Sequence, residues 1–82
     1  MENLIKKAVY IIENSTLETS EKAKLLQFIE MVGKDAKDAE NSVKAGKLPI
    51  KARSCFYKAY TDCIKHACVC YGIIDIEEQL VN

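Results

Sequence analysis

The chain has 82 residues, 49% of them hydrophobic and 29% charged, and its formal net charge is zero. That suits one small folded domain, which buries only about 60–65% of its unfolded surface, so a thin core is expected. The composition excludes a disordered chain, and neutrality removes the general attraction that drives nucleic-acid binding. No apolar run reaches the ~20 residues of a membrane span. "LIKKAVYIIEN" alternates with charge and does not read as a secretion signal. A cytoplasmic location with reduced thiols is the expectation.

Charge is unevenly spread. Residues 1–40 hold six Lys and eight acids, and residues 41–61 hold five bases (Lys44, Lys47, Lys51, Arg53, Lys58) and no acid. From residue 62 onward there are four acids and one Lys. The middle of the chain is a basic island.

In chain order, Leu4, Ile5, Ala8, Val9, Ile11 and Ile12 recur at helical spacing and predict a first helix over 3–13. Asn14 is placed to end it in a left-handed conformation. Thr19 or Ser20 is placed to cap the next, with Glu21 in its first turn. In that second helix Leu25, Ile29, Val32, Ala36, Ala39 and Val43 step by four, three, four, three and four, a heptad seam. The register runs through Gly33 unbroken, so one helix over about 20–45 is expected despite the ~1 kcal/mol that a helical glycine costs.

Gly46 supplies a terminator, and Pro49 suits the first turn of a third helix over about 49–71. This helix carries two apolar stripes. One is a heptad seam of Ala52, Phe56, Ala59, Cys63, His66 and Cys70. The other is Tyr60, Ile64, Ala67 and Tyr71. A capping box of Asp75 with Glu78 predicts a short last helix over 76–81.

The expected fold is all-α and a single domain: a long antiparallel hairpin of 20–45 against 49–71, with the first helix packed on its open end. Folding about residues 47–48 pairs Val43 with Ala52, Ala39 with Phe56, Ala36 with Ala59 and Val32 with Cys63. It also pairs Ile29 with His66 and Leu25 with Cys70, so small residues repeatedly meet large ones. The first helix spans about 16 Å and the second about 39 Å at 1.5 Å per residue, so much of the hairpin stays uncovered. That shortfall points to self-association, most simply as a symmetric dimer.

"CIKHACVC" gathers three cysteines and the only histidine into residues 63–70. A disulfide within one helix does not fit: Cys63 and Cys70 lie about 10 Å apart, against the ~4.4–6.8 Å a bridge needs. Thioredoxin-type chemistry needs a thiol at a helix start, and these lie mid-helix or beyond. Cys63 with His66, or His66 with Cys70, offers two metal ligands; a structural zinc wants four, which two chains could supply. The leading reading makes Cys63, Cys70 and His66 packing residues on the seam, with Cys55 packing beside it. Cys68 points elsewhere and becomes the candidate for contact with another element or subunit.

The second candidate site is the hairpin tip. Lys44, Lys47, Lys51, Arg53, Tyr57 and Lys58 gather near a helix N-terminus, which suits an anion or an acidic partner segment. No Ser-His-Asp order, P-loop or other catalytic constellation occurs, and no cofactor is implied. The function expected is therefore non-catalytic: a small regulator or inhibitor that binds a partner protein through helix faces. The alternatives are an oligomeric binder of a small anionic ligand such as a nucleotide at the tip, and a metal-bridged dimer.

Overall fold

The computed structural model describes residues 1–81. It is all-α, with α1 (Glu2–Glu13), α2 (Thr19–Lys44), α3 (Ala52–Cys70) and α4 (Ile76–Val81). No strand occurs among the described residues.

α2 and α3 form the antiparallel hairpin. Arg53 meets Glu40 near the tip, and Phe28 lines a shallow hollow with Cys63 and His66 toward the other end. The α2 seam behaves largely as its spacing demands: Leu25, Ile29, Val32, Ala36 and Val43 are buried and Ala39 is half-buried. α2 is one continuous helix through Gly33. α1 crosses at this glycine, yet the space left there would admit a Cβ at ordinary contact distance. A Cβ at Gly33 would lie 3.5 Å from Ile5 Cγ1 and Cγ2.

α1 and α4 lie on one side of the hairpin and close its open end. Ala8, Ile11 and Ile12 of α1, Leu25, Ile29 and Val32 of α2, Ile64 and Cys68 of α3, and Ile73, Ile76 and Leu80 form a single core. Burying side chains of this size stabilises by about 1.5–3 kcal/mol each. Lys65 reaches Glu77 at 3.4 Å and ties α3 to α4. Lys22 Nζ donates to the Glu13 carbonyl at 3.0 Å, which satisfies one free carbonyl at the end of α1. The molecule measures 42 × 22 × 18 Å, and the start of α1 reaches the last turns of α2, where Met1 and Glu2 share a hollow with Asn41 and Lys44.

Three terminal details differ from expectation. Asn14 has φ −96°, not a left-handed value, and its side chain donates to the Tyr10 carbonyl at 2.8 Å instead. α2 begins at Thr19 behind Glu18, with no side-chain cap from Thr19 or Ser20. Asp75 accepts from Gln79 Nε2 at 2.7 Å rather than pairing with Glu78 in a capping box.

Two larger differences concern α3. It starts at Ala52, not at Pro49, because residues 49–51 form a tight turn. In that turn Ala52 N–H donates to the Pro49 carbonyl and Arg53 N–H to that of Ile50, each at 3.0 Å. The helix is also turned about its axis relative to the expected seam. Ile64 and Cys68 are its buried residues, flanked by half-buried Tyr60, Ala67 and Tyr71. Ala59, Cys63, His66 and Cys70 are exposed. The register along the hairpin is close to that expected, since Phe56 and Tyr60 still lie against Ala36, Glu40 and Val43. The rotation amounts to one residue, about 100°. Its cause is size: one stripe offers Tyr60, Ile64 and Tyr71, the other mostly Ala and Cys. Burying the larger set removes more apolar area from water.

Candidate functional site

The tip is built by the end of α2 and the start of α3. Gly46 adopts φ +76°, which lets the chain leave α2 at once. Lys47 N–H then donates to the Ser42 carbonyl at 3.0 Å, and Gly46 N–H to that of Val43 at 3.1 Å. These bonds satisfy the last carbonyls of α2 and hold the turn in shape. Every residue from Lys44 to Lys51 is exposed.

The expected site residues all surface in this region. Lys44, Lys47 and Lys51 are exposed, and among the described residues none has a carboxylate within 4.0 Å. Arg53 touches Glu40 at 4.0 Å, and Lys58 pairs with Asp62 at 3.2 Å one turn along α3. Exposed pairs of this kind contribute about 0–1 kcal/mol, so both bases are free to exchange partners. Tyr57 is 50% exposed and lines a shallow depression with Ile50, Arg53 and Ser54.

Leu48 and Ile50 belong to the surface and were not among the expected site residues. Ile50 is 79% exposed and Leu48 36%. The signal was present: two aliphatic residues flank Pro49 in a turn, outside any helical stripe. The tip therefore carries exposed apolar residues (Leu48, Ile50, Tyr57) as well as bases.

Beneath the tip, Ala36, Glu40, Val43, Arg53, Phe56, Tyr57, Tyr60 and Met1 enclose a cavity of about 100 Å³. It arises because small α2 residues face the tilted pair Phe56–Tyr60, whose ring centroids lie 6.4 Å apart. Its volume matches one medium side chain or a few waters, not a nucleotide. The start of α3 is also a poorer anion site than a helix beginning at Pro49 would be. The amides of Ala52 and Arg53, which would have pointed at an anion, already bond to the turn.

The cysteine cluster is spread over several directions. Cys55, Cys63 and Cys70 are exposed, so the packing role expected for them within one chain is not what they have. His66 is likewise exposed and is not a core histidine. Cys68 is the buried thiol, fully enclosed by the core, and it packs on other elements as expected. Burial pushes its pKa from 9.0 up to about 11, because the thiolate would lose its hydration there. The thiol stays protonated and unreactive at neutral pH. Cys63 and His66 share a shallow hollow with Phe28, Asp62 and Ala67. Among the described residues no three His, Cys, Asp or Glu side chains converge as metal ligands, and no helix is long and apolar enough to cross a membrane.

Comparison of the chain with protein-family models, with curated proteins and with solved structures finds no match.

Proposed function

We propose that this is a non-catalytic helical interaction module. It binds an acidic, partly apolar segment of another protein at the hairpin tip, in a regulatory or inhibitory role. The observation that carries this reading is that Leu48, Ile50 and Tyr57 are exposed on the same short stretch of chain as Lys44, Lys47 and Lys51, three bases with no ion pair among the described residues. Ile50 is 79% exposed and Tyr57 half-exposed on this projecting turn, and such apolar side chains gain by being covered. The surrounding cations select an acidic partner and speed its approach. The cavity between Val43, Phe56 and Tyr60 offers room for one anchoring side chain. Three exposed, unbridged thiols suit a reducing compartment such as the cytoplasm.

The test is capture from native lysate with the wild-type chain and with Lys47→Glu/Lys51→Glu/Ile50→Asp. All three residues are exposed, so the helical signal should not change. The variant should lose a partner that the wild type retains, and that partner should carry an acidic segment. Retention of every partner by the triple variant refutes the reading. A rise in melting temperature on adding millimolar phosphate or nucleotide would replace it with a small-anion site.

A further inference from the structure

The cavity of about 100 Å³ beneath the tip has an apolar floor and a charged rim. Buried Ala36 and Val43 of α2 and half-buried Phe56 and Tyr60 of α3 form the floor. Arg53 and Glu40 line the same cavity with side chains 56% and 48% exposed, so they stand where it meets water. They approach each other only to 4.0 Å, too far for a hydrogen bond. Among the described residues neither side chain makes a hydrogen bond at all. The guanidinium donors of Arg53 and both carboxylate oxygens of Glu40 are therefore open to a ligand.

We infer that this cavity binds a small apolar α-amino acid such as leucine or methionine. The ligand's side chain enters the apolar floor, its carboxylate takes the Arg53 guanidinium, and its ammonium group takes the Glu40 carboxylate. Size sets the side chain: the cavity is smaller than the ~150 Å³ that admits a benzene ring and suits an aliphatic group of leucine's size. Charge sets the head group. The rim carries one charge of each sign, and Lys44, Lys47 and Lys51 do not line the cavity. A plain anion would meet Glu40 and a plain amine would meet Arg53. An α-amino acid carries both charges on one carbon and satisfies both residues. Arginine holds a carboxylate through two parallel hydrogen bonds, whereas the exposed Arg53–Glu40 contact contributes little and is easily opened.

This site goes beyond the partner reading and does not rest on it. Leu48, Ile50 and the three lysines of that reading lie outside the cavity, and Tyr57 borders both. A bound amino acid fills the space that a partner's anchoring side chain would need, so the two occupants compete.

Thermal unfolding and a heteronuclear NMR titration with L-leucine test the inference. A ligand of this size should bind with a Kd of about 1 mM, and at about 10 mM it should raise the melting temperature by about 5–10 °C. The amide shifts should concentrate at Ala36, Glu40, Val43, Arg53 and Phe56. Arg53→Gln and Glu40→Gln, both at exposed positions, should keep the helical signal and each weaken leucine at least about tenfold. Alanine should also bind at least about tenfold more weakly, because it leaves the floor empty. Leucinamide and N-acetyl-leucine, each lacking one charge, should fall by a similar factor. The tip variant Lys47→Glu/Lys51→Glu/Ile50→Asp should bind leucine as the wild type does, so the two proposals fail separately. No change in melting or spectrum with leucine or methionine overturns the inference, as does leucine binding indifferent to both rim variants. Isoamyl alcohol binding as tightly as leucine overturns it by reducing the site to an apolar hole. N-acetyl-leucine binding as tightly as leucine overturns it in favour of a carboxylate or acidic-peptide site.

Discussion

Gly33→Ala is the most direct probe of how α1 sits on α2. Gly33 lies inside a continuous helix, where glycine is about 1 kcal/mol less favourable than alanine. Part of that cost comes from the unfolded chain, which has more freedom to lose at glycine. A methyl group at this position would lie 3.5 Å from two carbons of Ile5 and 3.6 Å from a third, ordinary contact distances that require no shift. Burying part of a methyl against Ile5 adds about 0.5 kcal/mol. The substitution should therefore stabilise the fold by about 1–1.5 kcal/mol and raise the melting temperature by about 5–10 °C for a domain of this size. Urea unfolding followed by helical circular dichroism measures it. The midpoint should rise while the slope is unchanged, since the surface exposed on unfolding stays the same. Gly33→Val should fall below Ala by about 1–3 kcal/mol, because its further methyl groups have Ile5 in their way. A neutral or destabilising Gly33→Ala would refute this packing: either the helix does not continue through residue 33, or α1 approaches more closely than 3.5 Å allows.

The rotation of α3 predicts a contrast between neighbours. Ile64→Ala should cost about 2–4 kcal/mol, because Ile64 is fully enclosed, whereas Cys63→Ala should change stability by less than about 0.5 kcal/mol in dilute solution. Equal costs from urea titration would return α3 to the orientation its heptad pattern alone suggests. Cys68 predicts a pH dependence. Its folded pKa of about 11 lies above the 9.0 of the free group, so its contribution is complete below pH 9 and is lost as pH rises toward 11. The loss should be on the order of 2 kcal/mol, seen as a stability difference against Cys68→Ala that narrows across that window. A constant difference would place the thiol in contact with water.

The α2 seam was legible because Leu25, Ile29, Val32, Ala36 and Val43 form its longest apolar stripe; Phe28 and Met31 lie off it and stay exposed, and no second stripe of that length competes. The same holds for Ala8, Ile11 and Ile12 of α1 and for Gly46, which ends α2. The orientation of α3 was not legible. Two adjacent stripes of that helix satisfy helical periodicity, and periodicity carries no information about which one a partner helix prefers. That choice depends on the volume available between α2, α1 and α4, which exists only once all four helices are assembled. The candidate site divides in the same way. The bases of the tip stand out as a charge block, whereas Leu48 and Ile50 become significant only when the turn leaves them uncovered.

Sequence alone determined the helices, their order and the hairpin, because these follow from local spacing and from what glycine and proline do to a backbone. Tertiary packing decided which cysteine lies inside, where α3 begins and which heptad is left facing water. Those outcomes depend on competition between surfaces for a limited interior, and that interior took the bulkier stripe of α3.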